Sequence, residues 1–355
     1  MHVLIVKVSS LGDVIHTLPA LTDARKAIPN IKFDWVIEEA FVEIPAWHTA
    51  VNKVIPVALR RWKKNILKMI FSQEYRNFKR NLKDTKYDLI IDAQGLLKSG
   101  LISSIAQGKV VGLDKNSARE KLATRFYDEC YAVSGQQHAV ERTRKLFSQA
   151  LGYNLNNLEL NYGLSFEQFA AKNNETNIIT KKSLYFLHGT TWETKLWPEQ
   201  YWIKLGVIAV DNGYHVNLLW GDDKEQQRAK RIAESIPNAT VMNRLSLTEI
   251  ASKLLQADIV IAVDTGLAHL AAALDRPTIA LYGASNTEKT GTYGRKQIHL
   301  SASLSCSPCL KKQCYYQGED LSESEKQEIF TVNPPCFATI PPSKVWQSIT
   351  ELMAQ

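Results

Sequence analysis

Apolar residues along the chain alternate between two patterns, short unbroken runs and longer stretches spaced every three to four residues. In the first half VLIVKV (3–8), FDWVIE (33–38), DLIIDA (88–93) and VVGLD (110–114) read as buried strands, and HTLPALTDARKAI (16–28) has helical spacing. In the second half SLYFLHG (183–189), HVNLLWG (215–221), DIVIAVD (258–264) and TIALYG (278–283) read as strands, separated by helical stretches at 198–212, 224–236, 247–256 and 266–274. Strands that alternate with helices predict parallel α/β architecture. The polar join EQFAAKNNETNIITKK (167–182) divides the chain into an expected first domain, 1–168, a linker, 169–182, and a second domain, 183–342. No internal sequence repeat is evident. In open parallel sheets ligands bind at the carboxyl ends of strands, which directs attention to the turns after VLIVKV and DIVIAVD.

Composition narrows the class. With 355 residues, 45% hydrophobic and 22% charged, the chain suits a globular protein of two domains and excludes disordered, collagen-like and disulfide-scaffold chains. No apolar run approaches the ~20 residues of a membrane span. Lys7 interrupts the first apolar run and no small-residue cleavage site follows, so the start reads as a strand rather than a signal peptide, and the expected compartment is the cytoplasm. The net charge of +7 lies entirely in residues 1–170. Between Arg60 and Lys86 ten basic residues face only Glu74 and Asp84. Such a stretch either attracts polyanions or is a solvated helix face. Trp62, Phe71, Tyr75 and Phe78 within it are spaced as the apolar side of an amphipathic helix at least as well as for stacking on bases, and no nucleic-acid partner is expected.

The first turn, KVSSLGDVIHTLPAL, lacks the three glycines of a dinucleotide fingerprint. Gly12 permits a tight turn, and Ser9 and Ser10 bring hydroxyls to the start of a helix. Asp13 is placed either to accept a proton from an alcohol or to cap the helix. The strongest local signal is IVIAVDTGLAHLAAALDRP (259–277), where Thr265 and Gly266 open a helix whose free amides suit a diphosphate. His269 adds a donor to that anion or fills a core or capping position; Asp264 suits sugar hydroxyls or loop orientation. Thr190, Thr191 and Lys195 follow a third strand, with Lys195 able to offset leaving-group charge, and Glu225 follows a fourth, as a hydroxyl ligand or a helix-dipole partner. Together these point to a phosphorylated nucleotide ligand. Asp222–Asp223 is an adjacent pair rather than a D-x-D metal arrangement. Cys306, Cys309, Cys314 and Cys336 lie in a loop-rich tail, either as a structural zinc site or as reduced thiols without a catalytic role.

KVSSLGDVIHTLPALTDA, FDWVIEE, RRWKK, DAQGLLKS, QQHAVERTR, HGTTWETKLWP, WGDDKEQQRA and VDTGLAHLAAALDRP together resemble the lipopolysaccharide heptosyltransferases of glycosyltransferase family 9, over roughly residues 1–300. The resemblance implies a GT-B fold, α/β with two Rossmann-like domains and parallel sheets facing across a cleft, and a last helix (343–355) crossing back to the first domain. It implies inverting, metal-independent transfer of L-glycero-D-manno-heptose from ADP-heptose to a Kdo residue of Kdo-lipid A in Gram-negative inner-core synthesis. No cofactor is expected, and the implied location is peripheral, on the cytoplasmic face of the inner membrane, with its anionic surface as partner. Asp13 matches the family's catalytic base. Thr190, Thr191, Lys195, Glu225, Asp264, Thr265, Gly266, Leu267 and His269 match donor positions; Ser10, Gly12, Arg60, Arg61, Lys64 and His138 fall on the acceptor side. The cysteine-rich insert near 301–338 departs from the family's shorter tail. The alternatives are transfer of the second heptose, another nucleotide-sugar enzyme of this fold and, more distantly, a non-catalytic polyanion-binding protein.

Overall fold

The computed structural model describes residues 1–156, 158–165, 167–170 and 182–354. Strands β1 (His2–Val6), β2 (Lys32–Glu38), β3 (Val51–Val57), β4 (Leu89–Asp92), β5 (Val110–Leu113) and β6 (Glu129–Tyr131) pair in the order β3-β2-β1-β4-β5-β6. Strands β7 (Lys182–Leu187), β8 (Tyr214–Leu218), β9 (Thr240–Val241), β10 (Ile259–Val263), β11 (Thr278–Tyr282) and β12 (Gln297–Ser301) pair in the order β12-β11-β10-β7-β8-β9. Every pairing within the two sheets is parallel. Both sheets therefore have the same doubly wound order, and in each the direction of winding reverses between the first and fourth strands, β1 beside β4 and β7 beside β10. That reversal opens a crevice at the carboxyl ends, the usual ligand position in such sheets.

The chain divides into two compact units, Met1–Ser165 and Phe166–Gln355. Most of the expected linker, residues 171–181, lies outside the described residues. The expected central strands are present, while β3, β6, β9 and β12 have no counterpart in the hydropathy pattern. All four are sheet edges. An edge strand is covered less completely, so VNKVIPV and QIHLS mix exposed polar with apolar residues and carry no unbroken apolar run.

One core of the first unit packs Leu4, Val6, Val36, Ile55 and Ile90 against Trp62, Phe78 and Leu82. Trp62 meets Tyr75 and Phe78 edge-on, each at 5.6 Å between centroids, so three of the four aromatics in the basic stretch serve packing. Phe71 departs from that expectation and is exposed. In the second unit Trp197 and Trp202 stack edge-on at 5.0 Å beside Phe186. The tail packs here too: Phe337 and Ile340 are buried, and the Ile340 carbonyl accepts the Trp197 indole hydrogen bond at 3.0 Å. The last helix, Pro342–Met353, adds Val345, Ile349 and Leu352 to the same core and sets Trp346 against Tyr214. Its apolar face packs on the core of the second unit.

Candidate functional site

The second unit gathers four loops at the carboxyl ends of neighbouring strands. Asp264, just past β10, is their hub. Its carboxylate accepts from Lys195 Nζ at 2.6 Å and from the Ser285 hydroxyl, and lies 4.0 Å from His269 Nε2. Its carbonyl accepts from the Thr190 hydroxyl at 3.0 Å, tying the loop after β7 to the end of β10. Lys195 also lies over the Trp192 ring, 4.3 Å from its centroid. The carboxylate is therefore engaged by the Lys195 ammonium and the Ser285 hydroxyl. Thr191 is exposed in the same loop.

The helix Gly266–Ala273 begins immediately beyond Asp264, with Thr265 as its extended N-cap residue. Thr265 makes no side-chain capping bond, and Thr265, Gly266 and Leu267 are only partly covered. The first amides of an α-helix have no intrahelical acceptor, so this end offers donors and a positive dipole to an anion. From β8 the chain enters the helix Asp223–Glu234, whose N-cap Asp222 accepts from the Glu225 amide at 2.9 Å. The Glu225 carboxylate turns back to accept from Gly221 N at 2.7 Å and covers Gly189 so closely that a Cβ there would meet it at 2.3 Å. Gly189 thus lets the loops after β7 and β8 touch. Burial raises the Glu225 pKa against the opposing hydrogen bond from Gly221. The predicted donor residues therefore converge on one edge of one sheet. Ser285, which the sequence reading missed, joins them; a lone serine after TIALYG gives no periodic signal.

The first unit builds a different arrangement at the same topological place. Asp13, in the short helix Leu11–Ile15, accepts at Oδ2 from both the Ser10 amide (2.8 Å) and the Ser10 hydroxyl (2.7 Å). Its Oδ1 lies 4.0 Å from Lys7 Nζ, whose ammonium also donates to the Ala93 carbonyl at 3.0 Å. Burial favours the protonated acid, but the Lys7 charge, both Ser10 hydrogen bonds and Arg119 outweigh it, so the pKa is lowered. The Asp13 side chain is 38% exposed while that of Lys7 is 10% exposed. Asp13 both caps its helix and presents an ionised oxygen. Lys7 was read only as an interruption of an apolar run; a lysine within a buried strand was the available signal.

The loop after β4 braces this turn. Gln94 Oε1 accepts from Val8 N and Ser9 N at 3.0 and 3.2 Å. Asp92, fully buried, fastens that loop by accepting from Gln94 N, Gly95 N, the Ser99 hydroxyl and the Tyr127 hydroxyl. Gly95 supplies the positive φ of +67° that the turn needs. His138 caps the helix Ala139–Leu151 through Nδ1, 3.2 Å from Val140 N, and packs edge-on at 5.4 Å against His16, the residue ending the Asp13 helix.

Arg60, Arg61 and Lys64 lie just past β3, at the same edge of the sheet as Asp13. Arg60 lies 5.1 Å over Phe41 and donates its amide to Glu38. Arg61 forks between Glu39 and Glu74, at 2.9 and 2.6 Å. Lys64 is exposed. Of the three, Arg61 is committed to holding the basic segment on the end of β2.

Among the described residues no group of three or more His, Cys, Asp or Glu is placed to hold a metal ion, and all five cysteines are free. Cys336 is buried in the core and Cys314 is exposed. Burial, with a smaller contribution from Cys314, Cys306 and Cys309, pushes the Cys336 thiol up to about 12, so the four thiols of the tail lie close enough to act on one another's charge. No described helix is long and apolar enough to cross a membrane.

Two doubly wound sheets, each with charged residues at its reversal crevice, define the architecture, and comparison with known proteins specifies the class. The family model for glycosyltransferase family 9 (heptosyltransferase) matches residues 75–319. The chain belongs to that family. It is 52% identical over 349 residues to lipopolysaccharide heptosyltransferase 1 of Pseudomonas aeruginosa, covering 97% of this chain and 96% of the relative. Among solved structures it resembles E. coli heptosyltransferase WaaC with ADP, with a TM-score of 0.78 and 46% identity, covering 85% of this chain and 94% of the other. It also resembles the same E. coli enzyme with ADP-2-deoxy-2-fluoro heptose, with a TM-score of 0.76 and 45% identity over the same shares. The fold is accordingly GT-B and the chain is a glycosyltransferase of lipopolysaccharide core synthesis.

Proposed function

We propose that the chain transfers L-glycero-D-manno-heptose from ADP-heptose to a Kdo residue of Kdo-lipid A, with inversion and without a catalytic metal. The observation that carries this reading is the 52% identity with a heptosyltransferase 1 along nearly the whole chain. The charge arrangement of each unit supports it. ADP-heptose binds the second unit, its diphosphate at the amides of Thr265, Gly266 and Leu267 with Lys195 and His269 close by, and Thr190, Thr191 and Glu225 on the nucleotide and sugar hydroxyls. Kdo binds the first unit beside Ser10, Gly12 and His138, its carboxylate drawn to Arg60 and Lys64, with Arg61 holding their segment in place.

The Kdo hydroxyl attacks the anomeric carbon from the face opposite the diphosphate. Its proton passes to the free oxygen of Asp13, and the C–O bond to the diphosphate breaks with its electron pair leaving on ADP. One displacement inverts the anomeric centre. Lys195 and the helix-start amides receive the leaving charge, a role that electrostatic preorganisation serves without proton bookkeeping. A lowered pKa suits Asp13 here: the carboxylate is ionised before the acceptor arrives, and the attacking hydroxyl becomes acidic only as its new bond forms.

ADP release from ADP-heptose, measured in EDTA with and without a Kdo-terminated lipid A acceptor, tests the reading. Acceptor-dependent release with gain of one heptose is the expected result. Release only with a heptose-terminated acceptor would assign second-heptose transfer instead, and release abolished by EDTA but restored by a divalent metal would overturn metal independence. Peripheral attachment to an anionic cytoplasmic membrane surface is part of the same proposal, because the acceptor is a lipid and the first unit carries the positive charge.

A further inference from the structure

Between the helices Leu59–Trp62 and Gln73–Lys83 stands one short helix, Ile66–Ile70, of which Ile66, Leu67 and Ile70 are exposed. Leu67 is 72% and Phe71 77% exposed, with Ile66 at 57% and Ile70 at 46%. Four large apolar side chains exposed within six residues form a patch, unlike the scattered single exposures of an ordinary surface. The segment is well built locally. Asn65 caps the short helix by accepting from Lys68 N at 2.9 Å, and Ser72 caps the next by accepting from Tyr75 N at 3.1 Å. Met69 packs on the core beneath, so the helix is anchored on one side and apolar on the other.

The charge around the patch is of one sign. Lys63, Lys64 and Lys68 are exposed within it, and Arg76, Arg80 and Lys83 follow on the next helix. Glu74, the nearby carboxylate, is already taken by Arg61 and the Trp62 indole. A second copy of this segment would bring like charge against like charge. A nucleic acid would match the lysines but leave the aliphatic side chains without a partner. An anionic bilayer satisfies both, with phosphates for the ammonium groups and the acyl boundary for the apolar ones.

We propose that Ile66, Leu67, Ile70 and Phe71 form a wedge that enters the headgroup–acyl boundary of an anionic membrane, with Lys63 and Lys68 on the headgroup phosphates. This rests on the membrane-bound acceptor reading above and adds to it an apolar component that salt does not screen. It also sets the enzyme's pose: the wedge lies a few residues past Arg60, so a lipid-anchored acceptor meets the first unit from the side where the wedge holds the bilayer.

Flotation with vesicles of equal parts phosphatidylcholine and phosphatidylglycerol tests it, at low salt and at about 1 M, where the screening length falls to about 3 Å. The expected result is binding at low salt with a fraction retained at high salt. The double variant Leu67→Ser/Phe71→Ser should lose the retained fraction and bind at least about tenfold more weakly at low salt, with unchanged thermal stability and ADP affinity. Phe71→Trp should gain blue-shifted emission and quenching by brominated lipid that the parent protein lacks. If the parent protein binds at low salt, is wholly released at high salt and is matched by the serine variant, the wedge is wrong and the electrostatic reading stands. No binding to anionic vesicles at any salt would overturn both. Concentration-dependent dimerisation without lipid, abolished by the serine variant, would reassign the patch to a second copy of the chain.

Discussion

The two units have the same strand order, and each puts a lysine and an aspartate at the crevice where that order reverses, yet only the first unit exposes one member of its pair. In the first unit Lys7 is buried and Asp13 faces solvent across 4.0 Å. In the second Asp264 is the more covered partner, and Lys195 lies against it at 2.6 Å. One architecture thus presents a partly exposed carboxylate in one unit and a closed ion pair in the other. The difference arises from where the lysine enters. Lys7 is the residue after β1 and donates to the Ala93 carbonyl, whereas Lys195 comes from the loop after β7 and donates to the Asp264 carboxylate. In the proposed reaction the buried Lys7 charge keeps Asp13 ionised as the base, and the Asp264 carboxylate holds Lys195 in place for the diphosphate.

Exchanging the members of these pairs tests the contrast. Asp13→Asn should have the largest effect, lowering kcat by about 10²–10⁴-fold, the range of a lost general base, with ADP affinity in calorimetry unchanged. A variant that kept near-full turnover while folded would show that Asp13 is a cap alone. Lys195→Met should give the complementary result, weakening ADP binding by about 10–100-fold through loss of a charge-assisted contact. Pairing it with Asp264→Asn removes the stranded carboxylate, and affinity that returns to the parent value in the double variant would mean that Lys195 serves only its aspartate.

Lys7→Met should act through pH. The Lys7 charge favours ionised Asp13, so its removal raises that pKa and moves the acid limb of the kcat/KM profile to higher pH. On the acid limb the rate should fall by about tenfold for each unit of displacement, with little change on the alkaline side. A uniform loss at all pH values would point to a structural role for Lys7. Ser285→Ala should be the mildest, a two- to fivefold rise in the donor KM (about 0.5–1 kcal/mol) from one lost hydrogen bond to Asp264; an unchanged KM would show Lys195 alone to suffice.

Much of this was legible along the chain. Central strands buried on both faces write themselves as unbroken apolar runs, and the loops that follow them carry Asp13, Lys195, Glu225, Asp264 and His269 at strand ends. The four edge strands were illegible because their burial is partial and depends on what covers them. Phe71 shows the same limit from the other side. Its spacing matches Tyr75 and Phe78, but the turn at Ser72 separates it from their helix and leaves it outside the core.

Local sequence determined the alternation of strand and helix, the approximate domain boundary and the residue types available at each strand end, because periodicity and turn chemistry act over a few residues. Tertiary structure decided which groups meet. Lys195 and Asp264 are 69 residues apart, and the Gln94 contact with Val8 spans 86; only the parallel crossovers that seat β10 beside β7 and β4 beside β1 close those distances. The same folding left Cys336 in the core and Cys314 in solvent, and turned Leu67 and Phe71 outward. Charge pairing and burial fall off within a few ångströms, so they follow from the three-dimensional neighbourhood and not from order along the chain.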